Sequence, residues 1–192
     1  MGIIIIMGPQ AVGKMTVGQE LEKLLNFRLL FNHMTIDLLA PFLGYTPTMW
    51  ELSSDLRLEL FKRFVSNADN PVDGIIFTVL INFDSQEDLT FLREVHTIFE
   101  KKDQPVYFVE LETNLETRLK RNITENRLKA KPSKRDLAFS EKELMDTVDN
   151  YRFKSLPGEL ASENHLVIDN TSLSPQQTAQ HIYDYFSLGG DS

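Results

Sequence analysis

Close to the N-terminus, the apolar run "IIIIM" (3–7) leads without a break into the loop "GPQAVGKMT" (8–16). A β-branched run with no polar alternation suits a strand buried on both faces. Three further runs share that character: "GIIFTVL" (74–80), "PVYFVEL" (105–111) and "HLVID" (165–169). "FRLLF" (27–31) is a weaker fifth. Strands hidden on both faces need helices above and below them, which is the situation of a parallel sheet.

Helical periodicity fills the intervals. Val17, Leu21, Leu24 and Leu25 make an apolar stripe after the first strand. Leu52, Leu56, Leu60 and Phe64 predict another between the second and third strands, and Leu89, Leu92, His96 and Phe99 a third. Thr113 with Glu116 reads as a capping box, as does Ser140 with Glu143, the latter with Phe139 and Leu144 as a staple. Ser174, Pro175 and Gln177 open the last helix. Strands and helices in alternation predict a doubly wound α/β fold.

At 192 residues the chain is read as one domain over 1–188 with a frayed tail at 189–192. The stretch 122–139 is polar, basic and broken by Pro132, which suggests a mobile element over the sheet. A net charge of −8 argues against nucleic acid as a partner, since that binding needs clustered cations. With no cysteine there is no disulfide frame, thiolate metal site or cysteine nucleophile. The apolar run at 3–7 lacks the basic flank and length of a signal peptide, and Ile6 breaks a myristoylation signal at Gly2. No stretch reaches the ~20 apolar residues of a membrane span. The expectation is a cytoplasmic protein with no membrane partner; the sequence specifies no oligomeric state.

The loop has its own physics. Gly8 and Gly13 permit backbone geometry that other residues resist, and a helix is predicted from about Lys14. Amides of the loop and first helical turn, from Gly8 through Gln10, Ala11, Val12, Gly13, Lys14, Met15 and Thr16, then converge on one spot at the positive end of a helix dipole. Lys14 adds a point charge, so the segment reads as a phosphate-binding loop. The usual pattern puts Ser or Thr directly after the lysine, whereas here the hydroxyl comes one residue later, at Thr16.

Lys-x-Thr resembles the loop of adenylate kinase and its nucleoside monophosphate kinase relatives. In element order nearly the whole chain resembles the P-loop small-molecule kinases, shikimate and gluconate kinases included. The resemblance implies a three-layer fold with five parallel strands ordered 2-3-1-4-5. It also implies an ATP-dependent, Mg2+-assisted kinase acting on a small-molecule acceptor, with a basic lid at 122–139. Thr16 would bind phosphate or a magnesium water. Arg118 or Arg121 would flank the adenine and phosphates, and Arg127 would reach the transferred group, with Lys134 and Arg135 nearby.

In "FNHMTID" (31–37), Asp37 would orient the acceptor hydroxyl or act as its base, with His33 and Thr35 as polar contacts. Arg57 would take an anionic acceptor group, and Trp50 and Phe83 could line the pocket. "GIIFTVL" holds no acid for magnesium; the first one after it is Asp84. Asn170 and Thr171 would lie beside the base. Two rival readings stand next to this one. A true nucleoside monophosphate kinase is suggested by the Lys-x-Thr loop, although "FNHMTID" lacks a Thr-Gly-Asp-like turn. A non-enzymatic ATP-binding or switch protein is favoured by the missing acid.

Overall fold

The computed structural model describes residues 2–160 and 163–189. Of the expected tail, 190–192 lie outside the described residues. Strand β1 (Gly2–Met7) runs through the middle of a five-stranded parallel sheet. It pairs with β3 (Gly74–Thr78) on one side and β4 (Val106–Glu112) on the other, so that Ile3 stands between Ile75 and Val106. β2 (Phe27–Phe31) closes one edge and β5 (His165–Asp169) the other, giving the order β2-β3-β1-β4-β5. Fold class and strand order are those expected.

The isoleucines of β1 show why the run is unbroken. Ile3 and Ile5 enter a core with Phe61, Phe77 and Phe99. Ile4 and Ile6 enter a second one with Val17, Leu21, Ile168 and Ile182. Side chains alternate across a strand, so a central strand covered on both faces needs apolar residues at every position. Each such burial stabilises by about 1.5–3 kcal/mol. Helices α3 (Pro47–Ser66) and α4 (Gln86–Glu100) cover the first face, and α1 (Lys14–Leu24) and α8 (Pro175–Tyr185) the second.

Some local expectations give way. β5 is an edge strand whose Val167 and Asp169 are exposed, so "HLVID" is hidden on one face only. On α3 it is Met49, Ser53, Arg57, Phe61 and Phe64 that turn inward, while Leu52, Leu56 and Leu60 are exposed. Two polar residues on the buried face disguised its period. Helix α5 (Leu115–Asn122) is capped by Asn114, and Thr113 bonds Thr171 instead. Helix α7 (Leu137–Asn150) starts earlier than expected, capped by Asp136, and Ser140 lies buried against Asn122. The Ser174–Gln177 capping box forms as expected.

Parallel strands bring the loops after β1, β2, β3, β4 and β5 to one edge of the sheet. Helix α2 (His33–Leu43) begins there, and α6 (Glu125–Ala130) with the turn Pro132–Lys134 forms the middle of the 122–139 segment. No described helix is long and apolar enough to cross a membrane.

Candidate active site

After β1 the chain leaves extended geometry at three points: Gly8 at φ 134°, Ala11 at φ 59° and Gly13 at φ 110°. A Cβ on Gly8 would stand 2.4 Å from the Leu111 carbonyl oxygen, so only glycine fits. Ala11 is a strained alanine, of the kind a surrounding structure must hold in place. Helix α1 then begins with Gly13 at its N-cap and no side-chain cap. By contrast α3, α4, α5, α7 and α8 are each capped by a side-chain oxygen. The first-turn amides of α1 are therefore left to a ligand or to water.

Four side chains brace this loop from behind. Arg118 donates from Nε to the Gln10 carbonyl at 2.9 Å. Arg121 donates to the Val12 carbonyl at 2.8 Å and to Asn170 Oδ1 at 2.9 Å, while Asn170 Nδ2 donates to Val12 O at 3.0 Å. Thr147 reaches Gln10 Oε1 at 2.9 Å. The arginine pair expected on one helical face does converge, but on loop carbonyls. Arg121 and Asn170 also line the cavity, whereas Arg118 is 6% exposed and stays behind it.

That cavity, about 840 Å3, opens at the sheet edge and takes in the loop from Gln10 to Thr16. Pockets for one small ligand run about 300–1,000 Å3, so this volume is near the upper end. Lys14 Nζ donates to the Gly8 carbonyl and to the Pro9 carbonyl at 2.8 Å. Burial, and then the charges of Lys131, Arg127 and Arg118, hold its ammonium well below the ordinary lysine pKa. Arg127 lines the cavity from α6, and its buried Nε has no hydrogen-bond partner. Lys131 is 8% exposed; its ammonium lies 6.0 Å from the centre of the Phe31 ring and makes no hydrogen bond or ion pair with a described residue. Burial first, then Arg127 and Lys134, push its pKa to about 7. Sequence reasoning missed Lys131, because nothing in "LKAKPSK" separates it from solvated neighbours. Lys134 pairs with Glu143, and Arg135 turns away to the Leu128 carbonyl.

Across the cavity His33 lines the wall, with Nδ1 3.5 Å from Asp37 Oδ1 and 3.2 Å from Ser133 Oγ. Burial lowers the His33 pKa to about 4, so the ring is neutral at pH 7. Burial acts to raise the Asp37 pKa, but hydrogen bonds from His33 and Ser133 and the charge of Lys131 leave it below the ordinary value. Asp37 sits behind His33 rather than on the cavity wall. Arg57 is 7% exposed, donating to Thr35 at 2.9 Å, Ser53 at 2.6 Å and the Asn32 carbonyl at 3.1 Å. Burial lowers its pKa to about 10. Trp50 lines the cavity, Phe83 is buried in the core, and Thr35 is buried beneath Arg57.

Asp84 is misplaced for the metal role expected of it. Arg152 Nε draws its carboxylate away at 2.9 Å, and it does not border the cavity. Glu87, Asp88 and Glu143 are the acids on the wall, and Asp88, in the first turn of α4, accepts the Asn82 amide at 2.7 Å. Thr16 borders the same space with a hydroxyl that bonds no described residue. Among the described residues no group of three or more acidic or histidine side chains could hold a metal by itself.

No protein-family model and no curated protein matches the sequence. Solved structures do match it. A shikimate kinase from Acinetobacter baumannii in complex with shikimate superposes with TM-score 0.59 at 17% identity, over 100% of this chain and 96% of its own. A tunicamycin resistance protein from Deinococcus radiodurans gives 0.56 at 17% identity, over 97% and 96%. The APS kinase of Mycobacterium tuberculosis, in complex with AMPPNP and APS, gives 0.53 at 17% identity, over 97% of each chain. With the parallel sheet and the loop geometry, these likenesses identify the architecture as the P-loop NTPase fold found in small-molecule kinases.

Proposed function

We propose that this chain is a kinase that transfers the γ-phosphate of ATP, with Mg2+, to a hydroxyl or phosphate of a small molecule. One observation carries the reading: Lys14, Arg127 and Lys131 face one cavity beside an uncapped helix start, and none forms an ion pair with a described residue. Gathering buried cations without counter-charge is costly unless an anion completes the site. A triphosphate supplies that charge.

Loop amides and Lys14 would hold the β- and γ-phosphates, with Arg121 and Asn170 fixing the loop beneath them. Arg127 and Lys131, on a lid spanning 122–139, would stabilise charge on the phosphoryl group in transit. His33 would meet the acceptor hydroxyl, with Asp37 setting its orientation and taking up positive charge. Thr16 and Asp88 offer the hard oxygen donors that suit Mg2+, which commonly takes one or two carboxylates besides phosphate oxygens and water. Asp88 thereby weakens the binding-protein reading that the acid-free third strand favoured. The reading places the protein in the cytoplasm, where ATP is supplied, as a single domain.

The test is ADP release from ATP, with and without a panel of hydroxyl metabolites and nucleotides. Turnover that depends on one acceptor supports the kinase. Tight ATP binding with no acceptor-stimulated release would point to a nucleotide-binding switch.

A further inference from the structure

The cavity wall has a second chemistry that phosphate does not use. Tyr45, Trp50 and Phe91 line it on the β2–β3 side, the first two with ring centroids 6.3 Å apart. Phe139 and Tyr151 face the same space from α7 and the residue after it. Trp50 is 46% and Phe139 57% exposed, so the cavity presents open aromatic surface. Flat rings bury such surface well and pack against it in offset or tilted geometry.

The same side has little to offer an anion. Glu87 and Asp88 put two carboxylates on the wall. Lys134 is paired with Glu143. Arg57 borders the cavity, but it has spent Nε and both hydrogens of Nη2 on Thr35, Ser53 and the Asn32 carbonyl, so that Nη1 alone is left to face it. Without those two nitrogens it cannot present the two-pronged edge that grips a carboxylate or phosphate. Its partners hold α2 against α3, so it works as a strut.

Resting on the kinase reading, we propose that the acceptor is an uncharged hydroxyl compound built on a flat apolar ring. Its hydroxyl oxygen would bond the γ-phosphorus as the bridging β–γ P–O bond breaks, the proton passing to the His33–Asp37 pair and ADP departing. The rings would hold the acceptor body, and Glu87, the wall carboxylate given neither to Mg2+ nor to Lys134, would repel competitors that carry negative charge.

Trp50, the chain's only tryptophan, reports on this directly. Its emission would be followed while phenylethanediol or mandelate is added to the ADP-loaded protein; the two share a ring and hydroxyl, and differ by a carboxylate. The diol should act at a concentration at least about tenfold lower than mandelate, and ring-free glycerol should do nothing. Mandelate acting as well as the diol would overturn the proposal, as would no response to the diol at millimolar concentration. Trp50→Ala, followed by calorimetry, should weaken diol binding severalfold and leave ATP affinity intact; unchanged diol affinity would also overturn it. If the diol binds selectively but never stimulates ADP release, the ligand class stands and the kinase reading falls.

Discussion

Lys131 holds its ammonium 8% exposed, with burial, Arg127 and Lys134 all pushing its pKa down, to about 7 from the 10.5 of a free lysine. Across that interval the unfolded chain binds the proton and the folded chain does not. Stability should therefore rise with pH from about 7 to about 10.5, and the gain is lost as pH falls through that window. Lys131→Met keeps the stem and removes the titration, so thermal melts at pH 7 and about pH 9 should differ less than in the parent. The same variant should gain less stability from added ATP. An unaltered pH slope would show that Lys131 is not the buried cation described. Arg127 makes a separate test, because the role proposed for it is to meet charge that develops during transfer. Arg127→Ala should cut turnover by about 10²–10³ while changing ATP affinity far less. Equal losses in both would make it a binding residue only. Gly8, Gly13 and Lys14 were legible from spacing alone. Lys131 and Asp88 were not, because each becomes part of the site only when the lid or α4 folds against the loop.

Among the elements, α1, α2 and α6 start without a side-chain cap, and of these α1 alone starts on a glycine with positive φ. Five helices end their N-termini on a side-chain oxygen, and α1 ends on Gly13 with its amides open. The box at Ser174–Gln177 could be read from sequence because Ser, Pro and Gln stand together at the cap, first and third helical positions. Those at Thr113 and Ser140 could not, since Asn114 and Asp136 are equally good caps nearby and tertiary contacts chose between them. Asp136→Ala should therefore destabilise the protein by about 1 kcal/mol in chemical denaturation, the usual effect of losing a cap. No measurable loss would place the start of α7 elsewhere. The 122–139 segment is tied to α2 by Ser133 and His33 at 3.2 Å and to α1 by Asn126 and Gln19 at 3.0 Å. Its basic residues thereby lie across both halves of the cavity.

Over the whole molecule, the sheet accounts for what was most readable. β1 touches both cores, so its five apolar residues could tolerate no polar neighbour, and the pattern survived in the sequence. Edge strands and helices that carry site residues obey two demands at once. α3 buries Ser53 and Arg57 against the start of α2 and leaves three leucines in water, which no periodicity analysis recovers. Ile5→Ala, in the centre of the first core, should cost about 2–5 kcal/mol, measured by urea unfolding. A loss below that range would mean the core collapses around the gap.

In the proposed function, sheet, loop and lid serve one event, capture of a triphosphate by the start of α1 and Lys14. Calorimetric titration of ATP into the parent protein and into Lys14→Ala, both shown folded by circular dichroism, measures that event. The parent should give a saturable heat, and the variant should bind at least about tenfold more weakly. A parent that gives no heat at millimolar ATP, or a folded variant that binds ATP as well as the parent, would contradict the account.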